Sequence, residues 1–105
     1  MSFECEIERN GDRITVVPEG DIGMENTAVL REVLRKVIEN HEGGRIDIDM
    51  RSVTFLDSSG IGMLVAAQRA AAVKGTTLML REPGPMIRMV LDIAHLDGTL
   101  VAPAG

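Results

Sequence analysis

The chain has 105 residues, enough for one compact domain with its own core and too few for two. Apolar residues make up 45% of it and charged residues 26%, a balance that supports burial and argues against a disordered polyanion. The net charge of −5 carries no cluster of Lys and Arg, and base stacking has only Phe3 and Phe55 to draw on, so direct nucleic-acid binding is not expected. No apolar run approaches the roughly 20 residues that span a bilayer. The N-terminus opens as a strand instead of a basic, then apolar, leader, and the expected location is the cytoplasm, away from any membrane.

Phe3, Cys5 and Ile7 alternate with Glu4, Glu6 and Glu8, which predicts a half-buried strand with Cys5 as a small hydrophobe on its inner face. Asn10-Gly11 suits a two-residue turn, after which Ile14 and Val16 resume the alternation, so the chain opens with a β-hairpin. From about Thr27 to Glu42 the period changes. Leu30, Val33, Leu34, Val37 and Ile38 then mark one face of an amphipathic helix, which Gly43-Gly44 stops. Ile46, Ile48 and Met50, alternating with Asp47 and Asp49, form a third strand.

Residues 59 to 73 read as an Ala-rich helix closed by Lys74-Gly75, followed by a strand from Thr77 to Leu80. Strand, helix and strand in that order make a right-handed parallel crossover. Pro85 starts a third helix with Met86, Met89, Val90 and Ile93 as its expected buried stripe, and Thr99 to Ala102 read as a last short strand. The predicted fold is a single α/β domain over residues 1–105. It has a mixed sheet that opens with a β-hairpin, continues in parallel crossover units and packs against about three helices.

The most informative stretch is Phe55-Leu56-Asp57-Ser58-Ser59-Gly60-Ile61-Gly62, where strand and loop give way to the Ala-rich helix. The first turn of a helix leaves four N–H groups unpaired and carries about half a positive charge, which favours a hydroxyl, carboxylate or phosphate. Asp57, Ser58 and Ser59 are each good N-cap residues, and capping alone is one reading of the segment. Glycines at 60 and 62, each costing a helix roughly 1 kcal/mol relative to Ala, point to a second reading in which something approaches this backbone closely.

Enzyme motifs are not met. Gly60-Ile61-Gly62 starts like a dinucleotide loop, but Val65 stands where the third glycine belongs, and no phosphate-cradling Gly-Lys-Ser/Thr is present. A serine nucleophile needs a base, and His41 and His95 sit at helix ends, where they read as C-terminal cations; a small serine hydrolase on Ser58 or Ser59 is the competing reading from the enzyme class. Asp47 and Asp49 lie on the polar face of their strand without a second acid paired to them by spacing, and no Cys/His cluster offers a metal site. Nothing calls for a bound cofactor.

Several segments together carry a resemblance: Gly20-Asp21-Ile22, Ile46-Asp47-Ile48-Asp49, the run from Val53 to Gly62 with its Asp-Ser-Ser-Gly core, and Lys74-Gly75. The chain resembles the STAS domain of bacterial anti-sigma factor antagonists over nearly its whole length. The resemblance implies that Ser58 is phosphorylated by a partner that is both a serine kinase and an anti-sigma factor, with Ser59 as its helix-capping neighbour. It implies that the unphosphorylated form binds this partner and frees a sigma factor, and that a PP2C-type phosphatase restores that form. A STAS module serving another signalling or stress-sensing assembly is the alternative.

The implied switch and partner-binding region comprises Asp21, Asp57, Ser58, Ser59, Gly60, Ile61, Gly62, Val65 and Arg69. On the Ala-rich helix the face of Arg69 also carries Gly62, Val65, Ala66 and Val73, which is either a docking surface or a face buried between sheet and neighbouring helix. Two departures stand out. Gly23 occupies a position near the phosphorylation site where the family usually has Asp, which bears on kinase recognition. The chain also stops at Pro103-Ala104-Gly105, where relatives commonly add a helix, and a less covered sheet face leaves a monomer or a weak homodimer as the expected state.

Overall fold

The opening alternation does form a hairpin in the computed structural model, which describes residues 3–41 and 43–102. Strand β1 (Glu4–Asn10) pairs antiparallel with β2 (Arg13–Ile22), and Asn10 faces Arg13, so the two turn residues are Gly11 and Asp12, one position later than Asn10-Gly11. Gly11 supplies the positive φ of 66° that the tight turn demands. Phe3 and Cys5 pack partly on the core, but Ile7, expected inside, is 42% exposed at the middle of an edge strand. Burial pushes the Cys5 thiol up to about 11, so it stays protonated at neutral pH.

Helix α1 (Met24–Glu39) starts one turn earlier than the apolar period implies, and the expected end at Glu42 lies outside the described residues, as do Pro103, Ala104 and Gly105. It buries Leu30, Leu34, Val37 and Ile38 and leads to β3 (Arg45–Asp49), parallel to the first half of β2. A strand not anticipated as such follows, β4 (Val53–Leu56), which runs parallel to the second half of β2 across a register shift between Gly20 and Asp21. Helix α2 (Ser58–Val73) then crosses over to β5 (Thr77–Arg81), the parallel neighbour of β3. The sheet is therefore mixed, in the order β1-β2-β3-β5, with β4 attached to the far end of β2.

Ile14, Val16 and Ile22 of β2, Ile46 and Ile48 of β3, and Leu78 and Leu80 of β5 are all essentially inaccessible, and α1 and α2 cover them. Each such side chain contributes about 1.5–3 kcal/mol by leaving water, and together they fix the two helices on the sheet. Thr27 of α1 meets Ser59 of α2 at one end, and Lys74 Nζ donates to the Glu39 carbonyl at the other, 2.8 Å away, so the helices run parallel with their N-termini side by side. No helix among the described residues is long and apolar enough to cross a membrane.

Two expectations fail at the C-terminal end. Helix α3 (Pro85–Ile93) buries Ile87 and Leu91, whereas Met86, Met89 and Ile93 are 67%, 59% and 72% exposed and Val90 is half-buried. Apolar residues run most of the way round this helix, so its period allowed two stripes, and packing against β4 chose the other one. The expected strand from Thr99 to Ala102 is instead a short helix, α4 (Asp97–Leu100), followed by a single parallel bridge from Val101 to Leu80. The Leu96 carbonyl accepts from the N–H groups of Thr99 and Leu100 and keeps the chain wound.

Asp47 alternates with Ile46 and Ile48 as expected, yet its position on the polar sheet face is not a solvated one. Only 1% of it is exposed, with Arg45 Nε at 2.7 Å and Arg13 Nε at 3.6 Å as its cationic partners. A buried carboxylate needs such partners, because leaving it bare costs several kcal/mol.

Candidate functional site

Strand β4 is what positions the junction. Its register places Asp21 opposite Phe55 and Ile22 opposite Leu56, and the Asp57 N–H then donates to the Ile22 carbonyl, 3.3 Å away. Thr54 Oγ1 donates to Asp21 Oδ1 at 2.6 Å, and Asn26 Nδ2 donates to the Asp21 carbonyl at 2.9 Å, so Asp21 ties β4 to the start of α1. The extended backbone of Asp57 then turns into α2 with its side chain as the cap: Oδ1 accepts from the Gly60 N–H at 3.0 Å and from Ser59 Oγ at 2.6 Å.

Ser59, implied to be the helix cap, is thus not the capping residue; it orients the carboxylate that caps. These contacts hold the Asp57 carboxyl below the usual aspartate range, the Ser59 hydroxyl first, then the Gly60 N–H, with smaller help from the Ser59 and Met24 N–H groups. Met24 opens α1, so the Asp57 carboxylate caps α2 while lying near the start of α1. Gly23, which caps α1 without a side chain, lies against it: a Cβ there would come 3.2 Å from Asp57 Oδ2 and 3.4 Å from the Phe55 ring. The position where the resemblance implies an Asp therefore lies against the Asp57 carboxylate, and here it carries no side chain.

Behind the cap, Thr27 Oγ1 donates to the Gly23 carbonyl at 2.7 Å and approaches Ser59 Oγ to 3.3 Å. Each hydroxyl has one proton, and both are already committed to shorter bonds, so the approach between them is the weak leg of this network. Thr27, 32 residues away from Ser59, had no signal in the sequence pointing to the site.

The two serines differ. Ser59 is bonded to Asp57, while Ser58 is exposed at the first helical position and its Oγ takes part in no hydrogen bond among the described residues. The two glycines differ as well. A Cβ on Gly60 would lie 2.6 Å from the Ile22 carbonyl oxygen, so this residue lets α2 press against β2, whereas a Cβ on Gly62 would meet nothing within 4 Å. Ile61 is partly buried against the core.

Ser58, Gly62, Val65, Arg69 and Val73 follow at helical spacing on one side of α2. Val65 is half-buried, Gly62 and Arg69 are exposed and Val73 is 87% exposed, so this face is open and not covered by sheet or helix. Arg69 stands about 16 Å along the helix from Ser58 and belongs to the face, not to the junction. Neither histidine bonds to the serines among the described residues: His41 Nε2 lies 3.0 Å from the Asp12 carbonyl, and His95 follows α3 with a φ of 60°.

Fold and junction together define a small α/β domain that displays a free hydroxyl on a carboxylate-capped helix start. A family model described as "Mlab, STAS domain" matches residues 5–102, and the chain belongs to the STAS domain family, with the anti-sigma factor antagonists among its relatives. It is 27% identical over 96 residues to the anti-sigma-B factor antagonist of Bacillus subtilis (strain 168), covering 91% of this chain and 86% of that protein. The structure of an anti-sigma factor antagonist from Mycobacterium paratuberculosis superposes with a TM-score of 0.85 at 23% identity, covering 98% of this chain and 87% of that one. The Bacillus cell fate determinant SpoIIAA in its phosphorylated form superposes with a TM-score of 0.70 at 21% identity, covering 97% and 92%. These two structures bear on the fold, and the family is regulatory rather than catalytic.

Proposed function

We propose that this chain is an anti-sigma factor antagonist whose partner affinity is set by phosphorylation of Ser58. The observation that carries the proposal is the contrast between the serines: Ser58 offers an unbonded, exposed hydroxyl, and Ser59 is held by Asp57. In the unphosphorylated form the outward face of α2, from Ser58 through Gly62 and Val65 to Arg69, receives an anti-sigma factor that is also a serine kinase. A sigma factor is released, and transcription changes without this chain touching nucleic acid.

Phosphate on Ser58 adds about −1.5 to −2 charge beside Asp57, at a helix end that tolerates it, so the surface changes while the fold stays. Under a docked partner that charge is either stripped of water or repelled, and a coupling of a few kcal/mol is enough to release the complex. A PP2C-type phosphatase returns the chain to its binding form. The protein acts as a monomer or a weak homodimer in the cytoplasm.

Capture experiments with wild type, Ser58→Ala and Ser58→Asp as bait test this. Wild type and Ser58→Ala are expected to retain an ATP-binding kinase that Ser58→Asp loses; equal capture by all three contradicts the switch. Hydrogen exchange across residues 58 to 73 is expected to slow when the partner is added.

A further inference from the structure

The two edges of the sheet are finished differently. At β5 the edge is closed: Gln68 Nε2 donates to the Leu78 carbonyl at 3.1 Å, and the Ala102 N–H donates to the Leu80 carbonyl at 2.8 Å. At β1 it is open. The Arg45 N–H donates to the Asp12 carbonyl, so the even residues at the start of β2 turn to β3, and Arg13, Thr15 and Val17 turn to β1. In the register these three face Asn10, Glu8 and Glu6, which leaves the N–H and C=O groups of Cys5, Ile7 and Arg9 pointing away from the sheet, without a partner among the described residues. Such a row of unpaired groups on a strand of 7 residues is a template to which an extended chain can add.

The side chains say what kind of chain fits. By alternation Glu4, Glu6 and Glu8 stand on the sheet face opposite α1 and α2, and Glu4 is paired in the register with Glu19, like charge against like. All four are exposed, and none forms an ion pair among the described residues. The cations of this face are placed elsewhere. Arg13 and Arg45 are on Asp47, and Arg51, which feels the charge of Glu8, is on Asp49 and Glu82. Arg81 forms no ion pair among the described residues, but it belongs to β5, three strand spacings or about 14 Å from β1. On the other side of β1, Ile7 is left exposed.

A second copy fits this edge badly, because any antiparallel pairing of β1 with itself that keeps the apolar side chains on one face sets glutamate against glutamate. A strand with Lys or Arg at alternate positions and apolar residues between them meets the carboxylates on one face and covers Ile7 on the other. We propose that β1 is the docking edge for an extended basic segment of a partner protein. The segment adds antiparallel to β1, with its cations opposite Glu4, Glu6 and Glu8 and its apolar residues beside Cys5 and Ile7. This gives the domain a contact surface that does not depend on phosphorylation of Ser58.

The probe is a fluorescein-labelled peptide, Thr-Lys-Val-Lys-Val-Lys-Thr, followed by fluorescence anisotropy at low ionic strength. Saturable binding is expected, weakened about tenfold by Glu6→Lys and unchanged by Glu25→Lys, which makes the same charge change on α1. A scrambled peptide of the same composition, and one N-methylated at both valines, whose N–H groups face β1 in this pairing, are each expected to bind about tenfold more weakly. Amide exchange at Cys5, Ile7 and Arg9 is expected to slow in the complex, while Glu6 and Glu8, already bonded to β2, change little. The proposal is overturned by an absence of saturable binding, by equal binding of the scrambled or N-methylated peptide, by equal binding to Glu6→Lys and Glu25→Lys, or by unmoved exchange at Cys5 and Ile7. Dimerisation of the free protein that protects the same amides also overturns it, since the edge then takes a second copy.

Discussion

In the first turn of α2, Ser59 and Gly60 form an inner pair tied into the junction, although Ser59 stays exposed to solvent, and Ser58 and Gly62 form an outer pair that is exposed and unbonded. The inner pair builds the scaffold: one hydroxyl fixes the capping carboxylate, and one missing Cβ lets the helix touch the Ile22 carbonyl. The outer pair bears on no neighbour, and what it offers is access. The difference teaches that a run of similar small residues interleaves two tasks at helical spacing, and that only the packing separates them.

Substitutions that break the comparison come first in size. Gly60→Ala puts a Cβ 2.6 Å from the Ile22 carbonyl oxygen and 2.9 Å from Leu56 Cδ1. The strain, typically 1–3 kcal/mol, is set against roughly 1 kcal/mol of helix propensity gained, so urea denaturation is expected to show a loss of up to about 2 kcal/mol. Gly62→Ala meets nothing within 4 Å. It is expected to raise stability by up to about 1 kcal/mol in the same assay, while weakening partner capture because the new methyl stands on the proposed docking face.

A smaller, pH-dependent effect sharpens the inner half of the comparison. The folded Asp57 carboxyl is held below its ordinary value of about 3.9 by Ser59 and Gly60, so the protein favours the ionised form. Its stabilising part is complete above that ordinary value and is lost as pH falls through the lower folded one. The stability difference between wild type and Asp57→Asn is therefore expected to shrink as pH drops below 4, and carbon-detected NMR is expected to show the Asp57 midpoint rising in Ser59→Ala. Smallest is Ser58→Ala, expected to change stability by less than about 0.5 kcal/mol, as for a surface residue with no partner.

Much of this molecule was readable in advance where a periodic pattern had one solution. The hairpin and α1 follow from alternation or from an apolar stripe that admits one buried face, and α2 and the crossover to β5 from an Ala-rich run closed by Lys74-Gly75, which left its buried face open. Where two solutions existed, tertiary packing decided. Helix α3 buries Ile87 and Leu91 and leaves Met86, Met89 and Ile93 outside, and Thr99 to Ala102 join a helix end and one bridge in place of a strand.

The junction itself was visible as Asp-Ser-Ser-Gly, yet its working parts were not. Strand β4 has only four residues, of which Val53 and Leu56 are buried and Thr54 and Phe55 exposed, and so shows no alternation. The proximity of Gly23, Thr27 and Met24 to Asp57 and Ser59 arises because α1 and α2 run parallel, which no local pattern encodes. Nor could spacing tell that Gly60 packs against Ile22 of β2 while Gly62 is open to the outside.

The most direct test is to incubate the protein with the proposed anti-sigma kinase and ATP and to map the modified residue in the tryptic peptide from Ser52 to Arg69, which also contains Thr54 and Ser59. A single phosphate on Ser58, absent from Ser58→Ala, is the expected result. Phosphate on Ser59 instead, or an unmodified peptide, contradicts the assignment of the free hydroxyl as the switch.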